Sequence, residues 1–84
     1  MRALQIYSRE GCHLCEVLIE ELLPLVRGTL AIEVRDIDSC PEWQEKYNRR
    51  VPVVEFEGRA ICQYRVDRAA IDALLGSLPA AAGN

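Results

Sequence analysis

Apolar and polar positions alternate along this chain in blocks that change period several times. Leu4 and Ile6 lie two apart in the run 3–8 and predict a first strand. From residue 13 the period lengthens. Leu14, Leu18 and Leu22 recur at i+4, with Cys15, Ile19, Leu22 and Val26 as a second row, so one apolar stripe should face a core while Glu16, Glu20 and Glu21 face water. Pro24 predicts a kinked last turn, and Gly28 a left-handed residue just past the helix end. Residues 30–37 return to period two, with Leu30, Ile32 and Val34 on one face and charged residues opposite, as a second strand about one helix length after the first. Strand, crossover helix and strand in that order predict a right-handed parallel pair.

A short second helix should begin near Ser39, read as N-cap, with Glu42 as its capping-box partner and Pro41 in the first turn. Trp43 and Tyr47, four apart, share one face of it. Residues 51–56 read as a third strand that opens on a proline, where the missing N–H is tolerated. A Gly-containing turn at 57–59 leads back into a fourth strand over 60–64, making an antiparallel hairpin. Asp67 can cap a last helix whose Ile71, Leu74, Leu75 and Leu78 form a core stripe, stopped at Pro79. The predicted order is βαβ, a short helix, then ββα. A domain over 1–78 and a flexible tail over 79–84 are expected.

Composition narrows the function. Eighty-four residues make one small domain, and half of them are hydrophobic, enough for a core without staples. The net charge of −3 and the lack of any Lys/Arg cluster beyond Arg49-Arg50 argue against a nucleic-acid surface. No run approaches the roughly 20 apolar residues of a membrane span, and Met1 leads straight into a strand with no cleavable apolar segment. A cytoplasmic protein without membrane contact is the expectation. Four cysteines without a leader then point to reduced thiols, hence to redox chemistry or metal binding rather than to a secreted disulfide scaffold.

The chemistry concentrates in Gly11-Cys12-His13-Leu14-Cys15, where a strand gives way to a helix. Cys12 falls at the helix N-terminus, where free N–H groups and the positive end of the dipole favour the thiolate, the form that attacks disulfides. Cys15 is one turn later on the same side, within reach of a mixed disulfide formed on Cys12. The bland alternative is a pair of half-buried cysteines without chemistry. A zinc site would need Cys40 and Cys62 as further ligands, yet neither forms a second CxxC pair, so no metal is expected. Cys62 reads as a packed strand residue, Tyr7 as buried near the cysteine corner, and His13 as a solvent-facing residue rather than a base.

With that element order, the run Ile6-Tyr7-Ser8-Arg9-Glu10-Gly11-Cys12-His13-Leu14-Cys15 resembles the opening of glutaredoxins, valine-tyrosine-serine-lysine-x-x-cysteine-proline-tyrosine-cysteine. Arg50-Val51-Pro52 stands where they have threonine-valine-proline, and the resemblance covers residues 2–78. It implies an α/β thioredoxin-like fold, a four-stranded mixed sheet with helices on both faces. It implies a cis Pro52 beside Cys12, with the backbone of Val51 as an edge for an extended thiol substrate. By the same carry-over Cys12 is the nucleophile, Cys15 the resolving thiol, and Arg9 matches a lysine near the glutathione carboxylate.

His13 and Leu14 replace the Pro-Tyr or Pro-Phe between the cysteines, and they join Arg9, Val51 and Pro52 as the substrate-contacting set. The Gly pair that ends the fourth strand of glutaredoxins is absent. Here that stretch is Cys62-Gln63-Tyr64-Arg65-Val66-Asp67, with Gln63 and Tyr64 crowding the glutathione groove and Asp67 about one residue late. The implied activity is thiol-disulfide exchange in cell redox homeostasis, with no bound cofactor and glutathione as a candidate reducing co-substrate. Protein or small-molecule disulfides would be the partners of a monomer. The alternative is a redox-inactive thioredoxin-fold module that binds a protein.

Overall fold

The computed structural model describes residues 2–78. Its elements are β1 (Ala3–Ser8), α1 (His13–Val26), β2 (Ala31–Asp36), a 3₁₀ turn (Ile37–Ser39), α2 (Pro41–Tyr47), β3 (Val53–Phe56), β4 (Arg59–Gln63) and α3 (Arg68–Ser77). The four strands form one mixed sheet in the order β2-β1-β3-β4. β1 and β2 run parallel, Ala3 beside Ala31 through Ser8 beside Asp36. β3 returns antiparallel to β1, Tyr7 facing Val53 and Leu4 facing Phe56, and β4 is antiparallel to β3. The turn between them is Glu57-Gly58, both at positive φ. The fold is thus the α/β arrangement that the periodicity predicts.

Strand alternation sends even-numbered residues to one face and odd-numbered ones to the other. Leu4, Ile6, Val54 and Phe56 meet Leu18, Leu22 and Val26 of α1 and Ile71 and Leu74 of α3 in the main core. Each such fully buried side chain stabilises the fold by about 1.5–3 kcal/mol relative to exposure. On the other face, Tyr7 and Val53 pack with Ile37 and Tyr47, flanked by Trp43 and Val51. Tyr7 stacks on Tyr47 with centroids 4.1 Å apart and meets Trp43 edge-on at 5.5 Å, so the two aromatic residues of α2 do share the face that docks on the sheet. Helices therefore cover both faces, though the second cover is only seven residues long.

Several sequence expectations need correction. Leu14 does not join the α1 stripe; it is 48% exposed, and the buried row begins at Cys15. Val34 is 52% exposed, because β2 is an edge strand with a neighbour on one side only. Ser39 is not the N-cap of α2. Asp36 starts the 3₁₀ turn by accepting the Asp38 N–H, Ser39 closes that turn with its hydroxyl on the Asp36 carbonyl, and the cap falls to Cys40, whose side chain makes no capping bond. α1 continues two residues past Pro24 before Gly28, at φ +84, turns the chain as expected where a side chain would be strained. Asp67 caps α3 through the Ala70 N–H. The expected tail beyond Leu78, with its stop at Pro79, lies outside the described residues.

Candidate thiol site

β1 ends at Ser8 and hands the chain to a turn in which the Cys12 N–H donates to the Arg9 carbonyl at 3.1 Å. Gly11 makes that turn at φ +80, a conformation that any Cβ would strain. Cys12 is then the N-cap of α1, and its Sγ accepts the Cys15 N–H at 3.2 Å. A sulfur at the N-cap satisfies one of the orphan donors of the first turn. Cys12 and Cys15 are joined as a disulfide, with Cα atoms 5.2 Å apart. Cys15 is only 3% exposed and its partner is half-buried, so the pair presents one reachable and one protected sulfur.

The neighbours fall into two sets. His13 and Leu14 stand outward, with His13 Nδ1 3.8 Å from Glu16 Oε1 in an open ion-pair geometry. Arg9 turns toward the β2 side. Its guanidinium bonds Asp38 from Nε and Nη2 at 3.2 Å and reaches Asn48 Oδ1 at 2.6 Å. Bonds from Gln44 and Arg9 hold the Asp38 carboxyl below the usual range. These partners lie 29 and 39 residues away in the chain, and nothing in their spacing marks them beforehand.

On the other side of β1, register controls the layout. Val53 faces Tyr7, so Pro52 lies one residue further, level with Ser8, at the end of the sheet from which the Cys12 loop leaves. The Val51–Pro52 bond is cis, and Pro52 is fully buried. Gln63 faces Val53 from β4, so the segment that follows it emerges at the same end. The Tyr64 N–H donates to the Pro52 carbonyl at 2.8 Å, and its hydroxyl donates to the Arg49 carbonyl at 3.0 Å. Arg50 Nε reaches Gln63 Oε1 at 3.2 Å. Tyr64 and Gln63 thereby clasp residues 49–52 against β4. Within the described residues, the N–H and C=O of Val51 have no partner. Cys12, Val51 and Pro52 are brought to one end of the molecule; Arg9 is also there but already engaged.

The remaining cysteines stay apart. Cys40 and Cys62 are half-buried free thiols, and burial pushes the Cys62 thiol up. Among the described residues no group of three or more His, Cys, Asp or Glu side chains could hold a metal ion. Nor, among them, is any helix long and apolar enough to cross a membrane.

The family description Glutaredoxin-like domain (DUF836) matches residues 3–76. The solution structure of a protein from Nitrosomonas europaea is 39% identical, covers 87% of this chain and 89% of its own, and superposes with a TM-score of 0.78. The X-ray structure of a protein from X. campestris is 32% identical over 92% of this chain and 100% of its own, with a TM-score of 0.73. No curated protein matches the chain.

Proposed function

Because the chain belongs to the Glutaredoxin-like domain family, we propose that it is a thiol-disulfide oxidoreductase working through Cys12 and Cys15. The observation that carries this reading is the asymmetry of the pair: Cys12 at the N-cap and half-buried, Cys15 one turn inward and 3% exposed. In the reduced protein the Cys12 thiolate attacks a substrate disulfide, forms a mixed disulfide and expels one substrate thiolate. The Cys15 thiolate then attacks Cys12 Sγ, forms the Cys12–Cys15 disulfide and expels the second. Two electrons pass from the dithiol to the substrate, and the expelled thiolates take protons from water. A dithiol protein, or two molecules of glutathione leaving as glutathione disulfide, restores the thiols.

The other site residues serve this exchange by position. The Cys15 N–H, directed at Cys12 Sγ, steadies charge there when the bond is open. The free N–H and C=O of Val51 offer two hydrogen bonds to an extended substrate backbone, with Pro52 fixing the direction of that edge. His13 and Leu14 form the outer lip, and Arg9, braced by Asp38 and Asn48, keeps Nη1 for a substrate carboxylate. A reducing cytoplasm is the setting in which such a dithiol cycles, as a monomer without a bound cofactor.

The test equilibrates the protein in glutathione buffers and follows alkylation of Cys12 and Cys15 by mass, alongside turnover of a disulfide substrate. One two-electron transition for the pair, and turnover abolished in Cys12→Ser, are expected. A pair that never opens in these buffers, or full turnover in Cys12→Ser, overturns the reading. The clasp of Tyr64 on residues 49–52 favours one competing reading, a binding module without turnover. That reading requires a Cys12→Ser, Cys15→Ser double variant to hold its partner as tightly as the parent chain does.

A further inference from the structure

One side of the sulfur end is rich in arginine although the chain as a whole is acidic. The chain has a net charge of −3, yet the side of the thiol site formed by the segments before β3 and after β4 presents Arg49, Arg50 and Arg65 against one acid, Asp67, which is spent on the Ala70 N–H as the cap of α3. Arg49 is exposed and, among the described residues, makes no ion pair; only its carbonyl is used, by Tyr64. Arg50 is held over the Tyr47 ring at 5.6 Å and by Gln63 through Nε, so its charge is fixed in place without being neutralised. Arg65 is 74% exposed and stands 3.9 Å from Glu21, a distance at which solvent screens most of the attraction. On the β2 side the Asp38 carboxylate is paired with Arg9 and bonded by Gln44, while Asp36 accepts the Asp38 N–H and keeps its charge. Glu10 in the cysteine loop is exposed and without a partner among the described residues, and Glu16 in the first turn of α1 stands 3.8 Å from His13.

Tyr64 organises this side. It sits at φ +70, a conformation a tyrosine adopts only when its surroundings hold it there, and both its N–H and its hydroxyl are spent on the 49–52 segment. Its ring remains 44% exposed, and across the cysteine pair Leu14 is 48% exposed. Two large apolar side chains exposed at this end of the molecule offer contact area for residues flanking a substrate cysteine.

Building on the dithiol reading, we propose that this end selects disulfides set in acidic polypeptide. The arginines draw in and hold the carboxylates that flank the substrate cysteine, Tyr64 and Leu14 receive neighbouring side chains, and the open backbone of Val51 aligns the strand. The chemical step is unchanged: Cys12 Sγ takes one substrate sulfur, and the other leaves as the thiolate.

The test uses the reduced full chain carrying Cys15→Ser and two peptides of one length. In each, a single cysteine is blocked as a disulfide with thionitrobenzoate and flanked by Glu in one peptide and Lys in the other. Attack by Cys12 releases the coloured thiolate and leaves the peptide on Cys12. The Glu peptide should react at least about tenfold faster at low salt, within the range of electrostatic steering, and the gap should narrow at high ionic strength. Replacing Arg49 and Arg65 by Ser should bring the ratio of the two rates close to one. Equal rates for the two peptides, or oxidised glutathione reacting as fast as the Glu peptide, overturn the acidic-polypeptide proposal while the dithiol chemistry stands. Absence of any release that depends on Cys12 removes the dithiol reading itself, and the proposal with it.

Discussion

The Tyr47 hydroxyl donates to the Glu55 carboxylate at 2.6 Å in the layer between α2 and the sheet, where Tyr47 is 2% and Glu55 6% exposed. This bond is what makes an acid on a central strand tolerable, since an unpartnered buried carboxylate is costly. Tyr47→Phe should therefore destabilise the fold by about 1–3 kcal/mol in urea denaturation, the cost of leaving a buried acceptor unsatisfied. Adding Glu55→Gln to it should recover part of the loss, because an uncharged amide is cheaper to leave unpaired.

The same pair sets an alkaline limit. Burial first, and then the bond to the Glu55 carboxylate, raise the Tyr47 phenol above its ordinary value. The fold thus favours the protonated phenol. Its contribution is fully present below the unfolded value of about 10 and is lost as pH rises beyond it. Denaturation midpoints measured from pH 8 to 11 should fall above about pH 10, and the tyrosine part of that fall should be missing in Tyr47→Phe.

Leu22 and Leu14 share a row in the sequence but not in the structure, 0% against 48% exposed. Leu22→Ala should cost about 2–5 kcal/mol, as a cavity in a packed core does. Leu14→Ala should stay within about 0.5 kcal/mol. A large loss in the second variant would mean that the first turn of α1 is buried after all.

The thiols should differ in reactivity. In reduced protein at neutral pH, alkylation followed by mass should label Cys12 ahead of Cys62, because burial of Cys62 disfavours its thiolate. Cys62 reacting alongside Cys12 would contradict that order.

Much of this could be read from residues alone, and the misses share a cause. Caps and turns are local, so Cys12, Gly28 and Asp67 fall where the pattern puts them. Periodicity reports which residues share a face, not how far the neighbouring element extends. Leu14 and Val34 each share a row with core residues and lie outside. Ser39 lost the cap of α2 because Asp36, three residues earlier, nucleates a competing turn that absorbs it. The cis bond at Pro52 followed from the resemblance and from no property of the residues themselves. The contacts of Arg9 with Asp38 and Asn48, and of Tyr64 with Arg49 and Pro52, join segments that no local pattern relates, and only the register of the sheet brings them together.

The Glu57-Gly58 turn closes the β3–β4 hairpin at the end of the sheet away from the cysteines. Four residues of β3 separate it from the Pro52 end, roughly 13 Å at about 3.3 Å per residue. A spectroscopic label, surface anchor or fused domain grafted there would leave the sulfur end unobstructed. The hairpin tip is therefore the natural handle for immobilising this protein while its chemistry is being watched.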